Sequence, residues 1–146
     1  MKIKLLAITV LLLLALTGCA VNRDSATVDP TARLDTLKTF HVKHLKADGR
    51  GIDKLIATNL RSRGYSVTTD DQAKPALVDA VVTYEDRWMW DITMYMVELT
   101  VVLRDPPSDF GLATGNSFHT SLSRKSPPAM VDEVLGNIFK TAVTKQ

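Results

Sequence analysis

Two consecutive stretches of alternating apolar residues constrain the fold of this chain more than any other feature. In the segment "LVDAVVTYEDRWMWDITMYMVELTVVLRD", apolar residues first occupy even positions and later occupy odd positions. A period of two is typical of strands that bury one face. A hairpin that turns around Trp90 and Asp91, or over a longer loop in the same register, places both series on one side of a sheet. The paired residues are then Val78 with Leu103, Ala80 with Val101, Val82 with Leu99 and Tyr84 with Val97.

The segment before this hairpin has the pattern of a strand, a helix and a second strand. Phe40 and Val42 alternate with polar residues in "LKTFHVKHL". The next apolar residues recur at helical spacing, and Gly64 is placed to end that helix in a left-handed conformation; they are Ile52, Leu55, Ile56 and Leu60. Residues 65–69, "YSVTT", predict the second strand. Because a helix connects the two strands, we expect them to be parallel.

The segment after the hairpin predicts one more strand and a final helix. "DPPSDFG" interrupts the pattern, and "LATGNSFHTSLSR" predicts a strand with Leu112, Phe118 and Leu122 on one face. Ser126, Pro127 and Pro128 are typical of a helix start. The apolar stripe of that helix is Val131, Val134, Leu135, Ile138 and Ala142. This order predicts an α+β fold, a two-layer α/β sandwich with a mixed sheet: β-α-β, a three-stranded antiparallel meander and a C-terminal helix.

The N-terminus has the features of an export signal. Lys2 and Lys4 precede "LLAITVLLLLAL", about a dozen apolar residues, whereas a membrane-spanning helix needs about 20. The run ends in "LTGC", which resembles the lipobox of bacterial lipoproteins. This resemblance implies that a diacylglycerol is attached to Cys19, that the chain is cut before it, and that the new amine is acylated. The alternatives are an uncleaved anchor helix and an ordinary signal peptide with an incidental cysteine.

Three segments follow from this interpretation. Residues 1–18 are the lipoprotein signal peptide, residues 19–36 are a lipidated flexible tether, and residues 37–146 are a single α/β domain. Loss of Lys2 and Lys4 with the signal reduces the 18 Lys and Arg residues to 16, which equals the 16 Asp and Glu residues. A side-chain charge near zero gives no indication of a nucleic-acid partner.

The combination of these features resembles small outer-membrane lipoproteins of Gram-negative bacteria. The features are the lipobox, the polar tether, "RSRGY" at the end of the first helix, "ALVDAVVTY" at the start of the hairpin and the C-terminal helix. The group includes uncharacterised lipoprotein families, LptE, and the anticodon-binding-like domains of TolB and CsgG. The resemblance implies a lipid-anchored α/β domain. Ala20 rather than Asp after the cysteine implies, by similarity to enterobacterial sorting, the periplasmic face of the outer membrane.

The sequence contains no recognisable catalytic motif, so we expect a protein that is not an enzyme. The motifs GxSxG, SxxK and HExxH do not occur, and lipidation of Cys19 uses the chain's single thiol. His41 and His44 are predicted to face opposite sides of a strand as solvated histidines rather than as metal ligands. "DGRG", residues 48–51, predicts a plain turn, with anion binding as the alternative. Apart from the covalent lipid on Cys19, we expect no cofactor and no metal.

The segment "RWMWDITMYM", residues 87–96, is the candidate interaction surface. Its members are Arg87, Trp88, Met89, Trp90, Met94 and Met96. In the predicted register Met89, Met94 and Met96 share the sheet face opposite the core, and that face is expected to be exposed and apolar. One alternative is that the Trp rings close the end of the core while the methionines pack under the tether or a dimer partner. The others are an adaptable protein-binding or lipid-binding surface and a thioether site for Cu(I).

The expected function is that of a non-enzymatic, lipid-anchored envelope protein. It would act as a binding or assembly module through the exposed sheet face and the Trp/Met-rich end of the hairpin. The expected partners are an envelope protein, an identical copy in a homo-oligomer, or a glycolipid. The alternative is a periplasmic lipoprotein that binds a small ligand or Cu(I).

Overall fold

The computed structural model describes residues 22–70 and 77–144, which form a six-stranded sheet and two helices. The strands are β1 (Asn22–Val28), β2 (Thr39–Val42), β3 (Ser66–Thr69), β4 (Ala80–Asp91), β5 (Thr93–Arg104) and β6 (Gly111–His119), and the helices are α1 (Ile52–Ser62) and α2 (Pro127–Thr144). The spatial order is β1-β6-β5-β4-β2-β3. Strand β2 is parallel to β3 and β4, and the remaining pairs are antiparallel. The predicted α+β fold with a mixed sheet and a C-terminal helix is confirmed.

Both helices pack on one face of the sheet and share a single apolar core with it. Of the predicted α1 stripe, Ile52, Ile56 and Leu60 are buried and Leu55 is partly buried. Gly64 follows the helix with φ +93°, as predicted. The predicted stripe of α2 is also buried. The largest core side chains are Phe40, Ile52, Ile56, Leu60, Met96, Leu99, Leu103, Met130, Leu135 and Ile138. Neither described helix is long and apolar enough to cross a membrane.

Strand β1 corrects the predicted tether. Residues 22–28 pair with β6 along their whole length, and Val28 and Leu34 are buried. The flexible segment predicted over 19–36 is therefore wrong from residue 22 onward. An edge strand is held largely by backbone hydrogen bonds to one neighbour, so "NRDSATV" can form one without an apolar pattern. The predicted signal peptide and Cys19 lie outside the described residues.

The hairpin of β4 and β5 forms as predicted, but in a different register. Val82 pairs with Leu103 rather than with Leu99, and the turn is at Ile92 rather than at Trp90 and Asp91. The shift is an even number of residues, so the apolar series still face the core. Between Arg87 and Trp88 the register changes by one residue, and Val97 of β5 has no partner in β4. This β-bulge re-aims the β5 side chains between it and the turn, whereas the alternation of β4 continues unchanged.

The inward face of β6 also differs from the prediction. It consists of Ala113, Gly115, Ser117 and His119. The predicted face, with Leu112, Phe118 and Leu122, is wrong, because the first two point to the other side and Leu122 lies in a short 3₁₀ segment, Ser121–Ser123, beyond the strand. Helix α2 crosses β6 so closely that a Cβ at residue 115 would lie 2.8 Å from Val134 Cγ1. The inward positions of β6 are therefore small or polar.

We predict that Gly115→Ala destabilises the fold by about 1–3 kcal/mol, because overpacking forces a well-packed helix away from its sheet. The added Cβ would also lie 2.9 Å from Ile138 Cγ1. The matched control is Gly49→Ala, where an added Cβ meets no described atom within 4 Å. Chemical denaturation measures both variants. Equal unfolding midpoints would contradict the close approach of α2 to β6.

Candidate functional site

The candidate surface divides into an exposed part and a part held by the fold. We define the hairpin tip as Met89, Trp90, Ile92 and Met94, which are all exposed, Trp90 to 70% and Ile92 to 87%. Trp88 is half-buried against the core, and Met96 is buried in it. The prediction that Met96 belongs to an open surface is wrong.

The three methionines do not share one face. Cross-strand partners lie on the same face of a sheet, and Trp90 pairs with Met94 while Met89 pairs with Tyr95. Met89 therefore points to the side opposite Met94 and Met96. The bulge at Val97 causes this difference from the predicted arrangement. The three thioether groups therefore do not share the sheet face that the alternative Cu(I) site requires.

A row of polar side chains crosses the middle of the open face of the sheet. Arg87 Nη2 lies 2.8 Å from Glu98 Oε2 on this face. Asn116 Nδ2 donates to Glu98 Oε1 at 3.0 Å and to Thr100 Oγ1 at 2.8 Å. These side chains form a hydrogen-bonded row across three strands. The face that was expected to be apolar is thus polar in its middle, and the exposed apolar candidates concentrate at the hairpin tip.

Arg124, which lies in the segment between β6 and α2, holds the hairpin turn. Its Nη1 donates to Thr93 Oγ1 at 2.7 Å, and its Nη2 donates to the Asp91 carbonyl at 3.0 Å. Nη2 also lies 3.1 Å from Asp91 Oδ2, and the guanidinium stands 4.4 Å from the centre of the Tyr95 ring. The tip is thus held rigidly while its apolar side chains stay in solvent. Sequence reasoning missed Arg124, because nothing in the pattern links it to a turn about 30 residues earlier.

A second arginine packs at the base of the tip. The Arg50 guanidinium lies 4.2 Å from the centre of the Trp88 ring, and the Trp88 indole N–H donates to Asp86 Oδ2. A cation over an indole face is attracted by the ring quadrupole. These contacts tie Trp88 to the body of the protein, so Trp88 positions the tip and is not part of its exposed surface.

Ile92 occupies a backbone conformation that its side chain disfavours. Its φ is +60°, in the left-handed region, where a β-branched residue is a genuine outlier. Such residues cost on the order of 1–3 kcal/mol. The described structure offers no compensating burial, since the side chain is 87% exposed.

The second polar centre is Asp48, which caps helix α1. Its Oδ1 accepts the N–H groups of Arg50 and Gly51 at 2.7 and 2.9 Å, and its Oδ2 accepts the Ile52 N–H at 2.6 Å. Oδ2 also accepts the Tyr84 hydroxyl at 2.7 Å. The Asp48 carboxylate occupies the N–H groups at the helix start that a bound anion would otherwise use. "DGRG" therefore forms a turn around Asp48.

The charge state of this centre follows from the same contacts. Burial acts to raise the pKa of the Asp48 carboxyl, but the Tyr84 hydroxyl and the backbone N–H groups stabilise its ionised form and hold the pKa below its ordinary value. Burial, with the adjacent Asp48 carboxylate, raises the pKa of the Tyr84 phenol. Asp48 is therefore ionised and Tyr84 neutral near neutral pH.

An open cleft of about 440 Å³ lies beside this cap and contains metal-ligand residue types. His44, Asp48 and Asp53 bring one nitrogen and two carboxylate oxygens within 4.8 Å of one another. His44 Nδ1 lies 2.9 Å from Asp53 Oδ2, and both Asp48 oxygens accept N–H groups. A cation would have to displace these donors. The cluster is better explained as the helix cap and its neighbours.

His41 is not the solvated histidine that was predicted. It is buried, its Nδ1 lies 2.9 Å from Thr68 Oγ1, and its Nε2 lies 2.8 Å from Asp70 Oδ1. Asp70 Oδ2 accepts the His44 N–H at 2.8 Å. Burial acts to raise the Asp70 pKa, but these donors hold it below its ordinary value. His44 follows strand β2 rather than lying in it, and its side chain is half-exposed.

His119 belongs to a structural ion cluster under helix α2. Its Nε2 lies 2.8 Å from Glu133 Oε2, which also accepts the Ser117 hydroxyl at 2.9 Å, and Lys125 Nζ lies 3.0 Å from Glu133 Oε1. Burial acts to raise the Glu133 pKa, but these partners hold it below its ordinary value. His119 Nδ1 is buried without a hydrogen-bond partner among the described residues. The cluster fastens the start of α2 to β6.

Comparison with known proteins supports the fold alone. The sequence matches no protein-family model and no curated protein. The structure is similar to the PelC dodecamer from Paraburkholderia phytofirmans, with a TM-score of 0.57 and 17% identity, over 81% of this chain and 98% of that chain. A dodecameric variant of the same protein matches with a TM-score of 0.56 and 17% identity, over 80% of this chain and 96% of that chain.

We predict that Asp48→Ala costs about 2–4 kcal/mol, because it removes a helix cap and leaves the Tyr84 hydroxyl without its acceptor. The control is Asp132→Ala, an exposed partner of Arg63 that is expected to cost less than about 1 kcal/mol. Urea denaturation at neutral pH measures both. Equal losses would contradict the role of the cap.

The pH dependence of the same site has a defined sign. The folded pKa of Asp48 is depressed, so its stabilisation is complete above the ordinary carboxyl pKa and is lost as the pH falls through the folded value. The free energy of unfolding should therefore fall below about pH 4. Asp48→Asn should show a shallower fall than the wild type over this range, and parallel curves would refute the assignment.

Proposed function

We propose that this chain is a lipid-anchored protein of the outer membrane that acts as a non-enzymatic binding and assembly module through its hairpin tip. The observation that carries the proposal is the tip itself: four large apolar side chains held in solvent on a turn that Arg124 keeps rigid. Exposed apolar groups on a fixed scaffold are typical of contact surfaces, because the ordering cost of binding has already been met by folding.

The anchoring part of the proposal rests on the sequence. "LTGC" follows an apolar run of signal-peptide length, and Cys19 stands three positions before strand β1. Two or three fatty chains hold a protein on a membrane, whereas one chain binds only marginally. A domain whose first strand begins this close to the lipid would be held against the membrane surface.

The use of the polar clusters supports a binding role over a catalytic one. Asp48 caps a helix and fixes Tyr84, and Glu133 gathers His119, Ser117 and Lys125 beneath α2. In both clusters the carboxylate accepts hydrogen bonds from neighbouring groups of the fold. Groups arranged in this way stabilise the structure and present little free chemistry to a substrate.

Self-association is the second part of the proposal, and the dodecamers of similar fold favour it. We predict that the mature, detergent-solubilised protein is a multiple of the monomer mass in native mass spectrometry. Closed homo-oligomers are common for soluble domains, and a cyclic assembly directs the same end of every copy to the same side. A monomer at all accessible concentrations would refute this part and leave the anchoring part standing.

We predict a specific photocrosslink from the hairpin tip in native envelopes. A photoreactive residue at Met94 should give a product, whereas the same residue at Lys54, on helix α1, should give none. In a Cys19→Ala background the Met94 product should be lost with the anchor. No product at Met94 in the anchored protein would overturn the tip as the contact surface.

A further inference from the structure

We propose that the hairpin tip binds the surface of a phospholipid bilayer and inserts Trp90 and Ile92 into its interfacial region, beside the lipid on Cys19. This inference rests on the anchoring proposed above and names the partner of the same surface. It follows from where the chain enters the sheet, from the length of the hairpin and from the side chains at its turn.

The start of β1 and the turn of the hairpin lie at the same end of the sheet. The first residue of β1, Asn22, pairs with His119 at the end of β6. The end of β6 lies beside Glu98, in the first half of β5. Strand β5 itself starts at Thr93, directly after the turn. A chain anchored at Cys19 therefore enters the sheet at the end that carries the hairpin tip.

The hairpin is long enough to reach the membrane before the body of the protein does. The turn lies about five strand residues beyond the level of Asn22, which corresponds to about 15 Å. Asn22 follows Cys19 by three positions, a span of at most about 10 Å. Interfacial segments bury their apolar groups about 5–10 Å into the boundary between headgroups and acyl chains. With the lipid of Cys19 in the bilayer, the tip reaches that depth.

The side chains at this end are those that suit the interface. Tryptophan is enriched at membrane–water boundaries because its ring is largely apolar and its N–H is polar. Trp90 is 70% exposed, and Met94 pairs with it on the same face. Leu122, in the 3₁₀ segment joined to the turn through Arg124, is 82% exposed at the same end. The exposed apolar groups at this end thus come from the hairpin and from a second, neighbouring segment.

Ile92 supplies an independent observation. Its left-handed φ of +60° is one that glycine or asparagine adopts easily, yet the position carries a β-branched apolar residue with 87% of its surface in solvent. Neither local conformation nor packing within the described chain explains this choice. Contact with an apolar phase outside the protein does.

The charge at the turn is compatible with this contact. Asp91, the acidic residue next to Ile92, would oppose insertion if it were unpaired. Arg124 Nη2 lies 3.1 Å from its Oδ2 and also binds its carbonyl oxygen. The turn therefore approaches the bilayer with its carboxylate neutralised and part of its backbone already satisfied.

The experiment uses the mature lipidated protein in vesicles of phosphatidylethanolamine and phosphatidylglycerol, with and without bromine on the acyl chains. Bromine quenches indole fluorescence only at short range. We expect brominated vesicles to quench the protein and to shift its emission to shorter wavelength. The chain has two tryptophans. In the Trp90→Phe variant, Trp88 is the remaining source of indole fluorescence. This variant should lose the quenching by brominated vesicles.

Ile92→Asn and Leu77→Asn form a matched pair. The two aliphatic side chains are 87% and 89% exposed and lie at opposite ends of β4. Ile92→Asn should weaken the quenching of Trp90 and leave the melting temperature equal or higher, because asparagine tolerates the left-handed turn. Leu77→Asn should leave the quenching unchanged. Equal loss in both variants would overturn the inference.

Three other outcomes are decisive. Vesicle-bound, lipidated protein whose Trp90 is not quenched overturns insertion of the tip and leaves the anchor intact. The intact mass of the protein shows separately whether Cys19 carries lipid. If Cys19 carries none, quenching of the unlipidated chain by the same vesicles still supports the tip contact. Absence of that quenching overturns the tip contact. A concentration-dependent change of Trp90 emission without vesicles, lost in Ile92→Asn, would assign the tip to a second copy of the chain.

Discussion

One unpaired residue in strand β5 decides what the central hairpin presents to solvent. Val97 has no partner in β4, so the side-chain alternation changes between Glu98 and Met96. Both Met96 and Val97 are consequently buried, and Met96 pairs with Trp88 on the core face. Nearer the turn, Trp90 and Met94 continue the inward-facing series of their strands but are exposed to solvent. The bulge therefore places Met96 in the core and Met94 on the same face as Trp90.

The sequence predicts the elements well because their apolar periods are local. Ile56 and Val134 mark helices, and Val82 and Val101 mark strands, through neighbours within a few residues. Register is different, since it depends on where the turn lies, and shifts by even numbers keep the same residues buried. Strand β1 carries almost no apolar pattern, so it could not be distinguished from a polar linker.

The candidate site was predicted in part for the same reason. Met89, Trp90 and Met94 are exposed at the hairpin end as expected, but Met96 is buried by a bulge that leaves no trace in composition. Arg124 was missed because its contact with Asp91 joins distant parts of the chain. Long-range polar contacts of this kind, like that of Asp48 with Tyr84, depend on the finished topology.

Ile92 shows how a local cost can identify a contact surface. Two other demanding positions are accommodated inside the fold: Gly115 admits α2, and Asp48 satisfies the start of α1. At Ile92 a strained backbone and an exposed apolar side chain coincide, and no described neighbour relieves either. Residues that break a local rule without internal compensation are expected where function requires them. The bilayer contact proposed above would provide the compensation from outside the chain.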